Sequence, residues 1–297
     1  MQKGDNYIDL HIHTLNSDGY YSSKEIIDLA KKNDTNFIAI SDHDSINGLS
    51  EFKLNLKEGM IGVSGIEFSS FILINNKKIK LHILGYGFDV DNPKILTLLN
   101  EMKQRRITSH VNLLNKVKDK LLRLPEDSLS KIDMERYCWF DREFIKCLEK
   151  EEYPIDIIDY YKKYFKSNKF SYGPEYDLDI SRVIDAIKSA NGYVILAHPM
   201  AYQLDRNDVT EIIKKLTILG IDGIEVYQSD CKVEDSLYLM EIADRYNLLK
   251  SVGSDFHRDF NSDGRSIGFG INGNLCIEET SLTNKILELK KYFKGNK

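Results

Sequence analysis

Two histidines one residue apart, His11 and His13, end an alternating run that starts at Tyr7. Successive side chains of an extended strand point to opposite faces, so Ile8, Leu10 and Ile12 share one side and Asp9, His11 and His13 the other. Imidazoles converging at a strand end suit a metal ion at the rim of a sheet, although a surface strand carrying two histidines fits the same stretch. The pattern gains weight because it recurs. Asp42, His43 and Asp44 follow the apolar run Phe37–Ile40, Glu67 follows Met60–Ile66, His198 follows Tyr193–Ala197, and Asp255 and His257 follow Leu248–Val252. His82 lies in the returning arm of a β-rich pair, and only His110 falls inside a long helical pattern, where it reads as structural. Imidazole mixed with carboxylate suits zinc, manganese or iron, whereas an all-oxygen set would suit magnesium or calcium. Glu67 is the carboxylate available to bridge two ions. A hydroxide between closely spaced ions is a strong nucleophile near neutral pH, and the ions can clamp a transferring phosphoryl group. That chemistry is hydrolysis without a protein nucleophile.

The elements that must position these residues are legible from periodicity. Strand, polar cluster and helix repeat roughly six times, the signature of a parallel α/β sheet or barrel whose site lies at the carboxyl ends of the strands. Ser22 and Glu25 have capping-box spacing at the head of a helix, a second helix runs over Ile46–Leu56, and Asn75-Asn76 forms a hairpin turn between Phe68–Ile74 and Ile79–Tyr86. Later helices are expected from Asp179 to Asn191-Gly192, over Val209–Leu219 closed by Gly220, over Val233–Tyr246, and over about Thr283–Phe293. A long helix starts at Pro93 behind Asp91 or Asn92 as cap and runs to about Leu122. Helical, aromatic-rich sequence then continues to about Pro174. Residues 100–174 therefore read as a helical insertion, a substrate lid, splitting the barrel into residues 1–99 and 175–297.

With 297 residues, 42% of them hydrophobic and 29% charged, the chain can bury a core of α/β-barrel size. A net charge of −5 argues against coating nucleic acid by bulk electrostatics and leaves room for a local phosphate pocket. Cys138, Cys147, Cys231 and Cys276 are scattered without a C-x-x-C pair, so no disulfide framework or zinc knuckle is indicated. No apolar run is long enough to span a bilayer, and the first residues lead into a strand without a signal-peptide core. The expectation is a cytoplasmic protein with no membrane or obligate protein partner.

Taken in order, His11-x-His13, Asp42-His-Asp44, Glu67 followed by Ser69, His82-Ile-Leu-Gly85, Ala197-His-Pro199 and Gly253-Ser-Asp-Phe-His257 resemble the motifs of the PHP (polymerase and histidinol phosphatase) superfamily. The resemblance implies a distorted (β/α)7 barrel with two or three divalent ions of manganese, iron or zinc at its mouth. It assigns His11, His13, Glu67 and Asp255 to one ion, Glu67, His82 and His198 to a second, and Asp18, His43 and His257 to a third. Ser17-Asp18-Gly19 also fits an ordinary turn. Within the superfamily the chain looks most similar to phosphoesterases acting on nucleoside 3′,5′-bisphosphates and on the 5′ ends of short RNAs. The implied activity is metal-dependent hydrolysis of phosphate esters of nucleotides or short RNA or DNA ends. The alternatives are a histidinol-phosphatase-like monoesterase of a non-nucleotide substrate and a non-catalytic, metal-braced binding module.

Phosphate also needs cationic partners, and arginine offers a bidentate fork. The candidates are Arg105, Arg106, Arg142 and Arg258. Arg258 departs from the family pattern, in which many relatives carry glycine, and Trp139-Phe-Asp-Arg142 stands where nucleotide-directed relatives have an Arg-Pro-His-like segment. Trp139 and Phe140 could stack a base or form the core of the helical insertion. Asp44 is a candidate to position the nucleophile or protonate the leaving group, or to orient a histidine ligand.

Overall fold

The structure, a computed structural model, describes residues 6–118, 140–168, 177–259 and 264–295. The chain divides into two compact units, Met1–Leu99 with Leu178–Lys297, and Asn100–Asp177.

In the first unit, β1 (Tyr7–Ile12) is buried on both faces, Ile8 and Leu10 as well as Asp9 and His11. The chain then meets the expected capping box. Ser22 Oγ accepts from the Glu25 N–H and the Glu25 carboxylate accepts from the Ser22 N–H, and these bonds open α1 (Ser23–Lys32). β2 (Thr35–Ile40), α2 (Leu49–Asn55), β3 (Ile61–Ile74) and β4 (Lys77–Tyr86) follow. Asn92 caps α3 (Pro93–Lys118) by accepting from the Lys94 N–H. After the helical unit come β5 (Leu178–Asp179), α6 (Ile180–Ser189), β6 (Tyr193–Leu196) and a 3-10 turn over Pro199–Tyr202. Next are α7 (Arg206–Leu219), β7 (Gly223–Gln228), α8 (Val233–Arg245) and β8 (Leu249–Gly253). The short β9 (Arg265–Ser266) and β10 (Gly270–Ile271), α9 (Ser281–Glu288) and β11 (Phe293–Lys294) complete the unit.

The main sheet runs β1-β2-β3-β4-β6-β7-β8, a mixed α/β fold whose sheet is mostly parallel. Past β8, Phe256 makes a parallel bridge to Ile12 at the end of β1. Ile8, Leu10, Ala39, Val63, Leu84, Ile195 and Val252 from six strands form the core beneath it.

Three expectations change. The runs Met60–Ile66 and Phe68–Ile74 are one strand, because antiparallel pairing with β4 continues unbroken from Gly65–Tyr86 to Ile74–Lys77. Glu67 is thus a mid-strand residue. Nor is the sheet all parallel, since β4 pairs antiparallel with both β3 and β6. A two-residue hairpin forces the first of these directions, and Asn75 and Asn76 take the left-handed conformation it needs (φ 48° and 63°). The last helix is also shorter than periodicity implied. Thr280 and Thr283 box its start, and the chain leaves it through Lys290 at φ 54° so that Phe293 pairs with Gly62.

The second unit contains the continuation of α3, then α4 (Phe140–Lys150) and α5 (Ile155–Asn168). Leu113, Leu114, Phe144, Cys147, Leu148, Ile158 and Tyr161 form its core, with Phe144 edge-on to Tyr161. Cys138 and Trp139 lie outside the described residues, as do the side chains of Phe140 and Arg142. No helix among the described residues is long and apolar enough to cross a membrane.

Candidate metal centre

Glu67 is fully buried in the middle of β3, and five imidazoles close on its carboxylate. Oε2 lies 3.1 Å from His11 Nε2, 3.2 Å from His13 Nε2 and 3.1 Å from His43 Nδ1. Oε1 lies 3.0 Å from both His82 Nδ1 and His198 Nε2. Asp255 Oδ1 faces His13 Nε2 at 3.1 Å, and Asp18 Oδ1 faces His257 Nε2 at 3.1 Å. Strand ends explain the convergence, for β1 delivers His11 and His13, the segment after β2 delivers His43, and those after β6 and β8 deliver His198, Asp255 and His257. His82 arrives from β4, directly across from Ser69 on β3.

Three residues here hold left-handed backbone without being glycine: Asp44 (φ 47°), His198 (φ 26°) and Asp255 (φ 55°). Such conformations cost on the order of 1–3 kcal/mol each and persist where surrounding contacts hold them.

Those contacts include residues that sequence reasoning passed over. Glu225, fully buried in β7, accepts from His11 Nδ1–H at 3.0 Å and from the His198 N–H at 2.8 Å. A carboxylate oxygen accepts here, so His11 Nδ1 carries the shared proton and Nε2 is the nitrogen that faces the site. His257 is set likewise, with Nδ1–H donating to the Asp255 carbonyl at 2.9 Å. The one sequence signal for Glu225 was an acid between Ile224 and Val226 in a strand with both faces buried. Gly253 lets β8 pass this pair, since a Cβ there would collide with His11 and Glu225. Arg265 donates to the Ser254 carbonyl and forks onto Asp230, bracing the loop that carries Asp255. Asp9, expected beside the histidines, instead ties loops together by accepting from the N–H groups of Ser254 and Gly268. Asp42 holds the Thr14–Ser17 turn by accepting from Thr14 N–H and the Ser17 hydroxyl.

The electrostatics suit cations. Burial works against every charge here, yet His43, His11 and His82 together hold the Glu67 carboxyl well below its usual range. Burial likewise opposes ionised Asp255 and Asp18, and His11 and His257 respectively overcome it, lowering both. Against the same burial, Asp255 and Glu67 raise His13 to about 10, whereas burial prevails at His43 and lowers it to about 3.

Metal ions fit this donor set. The ligand-type atoms of His11, His13, Glu67 and Asp255 all lie within 4.8 Å of one another, as do those of His13, Asp18, His43 and His257, and those of His43, Glu67 and His82. Donors about 2.0–2.3 Å from a shared ion are of this spacing. His11 Nε2, His13 Nε2 and Glu67 Oε2 are buried and close together but not aligned as hydrogen bonds, the arrangement of ligand atoms aimed at a common point. The grouping departs from the implied one in two respects. His13 falls in two groups, and His43 completes the Glu67–His82 group, although His198 touches the same Glu67 oxygen.

The other candidates are placed differently. The Asp44 carboxylate accepts from the Ser69 N–H at 2.9 Å. Arg258 lies over the Tyr20 ring and donates to its hydroxyl. Arg105 pairs with Glu101 one turn back on α3, and Arg106 is buried on the same helix, as is His110.

No family model matches the sequence. The chain is 28% identical over 258 residues to a 5′-3′ exoribonuclease of Haemophilus influenzae, covering 84% of this chain and 89% of that protein. It is 27% identical over 257 residues to a phosphoribosyl 1,2-cyclic phosphate 1,2-diphosphodiesterase of Eggerthella lenta, covering 85% and 94%. A solved structure from Bifidobacterium adolescentis, described as a metal-dependent phosphoesterase, shares the fold with a TM-score of 0.70, 20% identity and coverage of 98% and 97%.

Proposed function

The chain belongs to the PHP superfamily as a metal-dependent phosphoesterase, and from that premise we propose that it hydrolyses phosphate esters of nucleotides or of short oligonucleotide 5′ ends. The observation that carries this reading is the five-imidazole shell around Glu67, a donor set for more than one ion. In the proposed state three ions occupy a distorted (β/α)7 barrel, whose first and last strands the Ile12–Phe256 bridge would join. When bound, such ions supply a Lewis-acid clamp on phosphoryl oxygens and acidify water.

The protein's own part is orientation and proton traffic. Glu225 and the Asp255 carbonyl fix which nitrogens of His11 and His257 face the ions. Asp44, held by Ser69, is proposed to pass a proton to the leaving oxygen, and Arg258 to offset charge on the phosphate. Residues 100–174, with Arg105, Arg106 and Arg142, are proposed to select the substrate.

Similarity to the Eggerthella protein favours a second reading, a ribose phosphate lacking a base. A panel of nucleoside 3′,5′-bisphosphates, 5′-phosphorylated oligoribonucleotides and cyclic ribose phosphates, assayed with manganese, separates the two. Turnover of the first two classes, abolished by chelation, is the expected result. Turnover of base-free esters alone selects the second reading, and silence across the panel with metal bound overturns both.

A further inference from the structure

Where β4 and β6 approach the site, their pairing has an inserted oxygen. Register carries Ile83–Leu196 on to His82–Ala197, a pair that in an antiparallel ladder exchanges two N–H···O=C bonds. One is made, from the Ala197 N–H to the His82 carbonyl at 3.1 Å. In place of the other, the His82 N–H donates to the Tyr202 hydroxyl at 2.9 Å, and that hydroxyl donates to the Ala197 carbonyl at 2.9 Å. The 3-10 turn Pro199–Tyr202 folds the ring back to reach this position, and its centroid lies 5.4 Å from that of His198.

The insertion separates His82 from Ala197, the residue before His198, and both histidines are ligand candidates. His82 and His198 reach one oxygen of Glu67, each at 3.0 Å, from strands wedged apart by a single hydroxyl. We propose that Tyr202 is a positioning residue, its hydroxyl setting the separation of β4 and β6 at which the His82 and His198 imidazoles can share one ion with Glu67. Direct closure of the ladder would draw Ala197 toward His82 and carry His198 with it. The inference rests on the metal-centre reading above and adds a residue that touches no ion.

The test is manganese titration of the metal-stripped full chain, wild type against Tyr202→Phe, with bound metal counted by elemental analysis. The expected result is that one class of ions weakens roughly ten- to a hundredfold, the usual effect of losing an outer partner of a metal ligand, while the others bind as in wild type. On a His82→Ala background Tyr202→Phe should add nothing, because both changes then act on one ion. Equal titrations of wild type and Tyr202→Phe overturn the inference, and so does full additivity with His82→Ala. Should Tyr202→Phe not fold, hydrogen exchange of the wild type decides. Manganese must slow exchange of the His82 amide, since binding and the hydroxyl bridge are reciprocally linked, and unchanged exchange overturns the inference. A wild type that binds no manganese overturns the metal-centre reading as well, whereas binding unaffected by Tyr202→Phe removes this inference alone.

Discussion

The sheet unit and the helical unit bury different chemistry. The first encloses Asp9, His11, His13, Asp18, Asp42, His43, Glu67 and Glu225 together, nearly all without solvent contact. The core of the second is Leu113, Leu114, Phe144, Cys147, Leu148, Ile158 and Tyr161. A buried ionisable group is costly unless its neighbours compensate it, so a dense cluster of them survives only where imidazoles, carboxylates and bound cations balance. Aromatic side chains carry no such obligation. In the helical unit Phe144 and Tyr161 are accounted for by packing on each other.

That contrast can be broken most forcefully at Glu67. Glu67→Gln should lower kcat/KM by at least the roughly 10²–10³-fold that loss of one preorganised electrostatic group costs, and should release metal, measured by steady-state kinetics and elemental analysis. Retained activity would mean that the shared carboxylate is no centre. In the helical unit, Phe144→Ala should destabilise by about 3–5 kcal/mol in chemical denaturation while metal content stays at the wild-type level. Loss of metal in that variant would dissolve the distinction between the units. Glu225→Gln should weaken metal binding by about ten- to a hundredfold without moving the metal-free denaturation midpoint far, since it removes the charge behind His11 but keeps the shape. The smallest effect sharpens the electrostatic side. His13, raised to about 10 in the metal-free protein, holds its proton at pH 7, and a ligand must shed it. Metal binding should therefore release at least one proton and tighten as pH rises, seen as a buffer-dependent enthalpy in calorimetry. A buffer-independent enthalpy would remove His13 from the ligands.

Much of the scaffold was legible because local chemistry marked it. Ser22 with Glu25, Asn92 before Pro93, Asp179 before α6 and Gly220 at φ 99° after α7 act over a few residues, and each does in the structure what its position implied. The start of α7 escaped because Asp205 caps it four residues before the apolar pattern begins at Val209. Periodicity reports the face of a buried helix, not its first turn.

The residues of the centre were likewise written into the chain, since a histidine or acid directly after an apolar run has few reasons to be there. The sequence by itself determined which side chains reach one end of the sheet, because alternation along a strand is a local geometric fact. Only the tertiary structure decided what each one meets. Five imidazoles share Glu67, Glu225 stands behind His11 and His198, and Tyr202 enters the ladder between His82 and Ala197. Those meetings depend on strand order and on register, which are set by pairings between residues far apart in the chain.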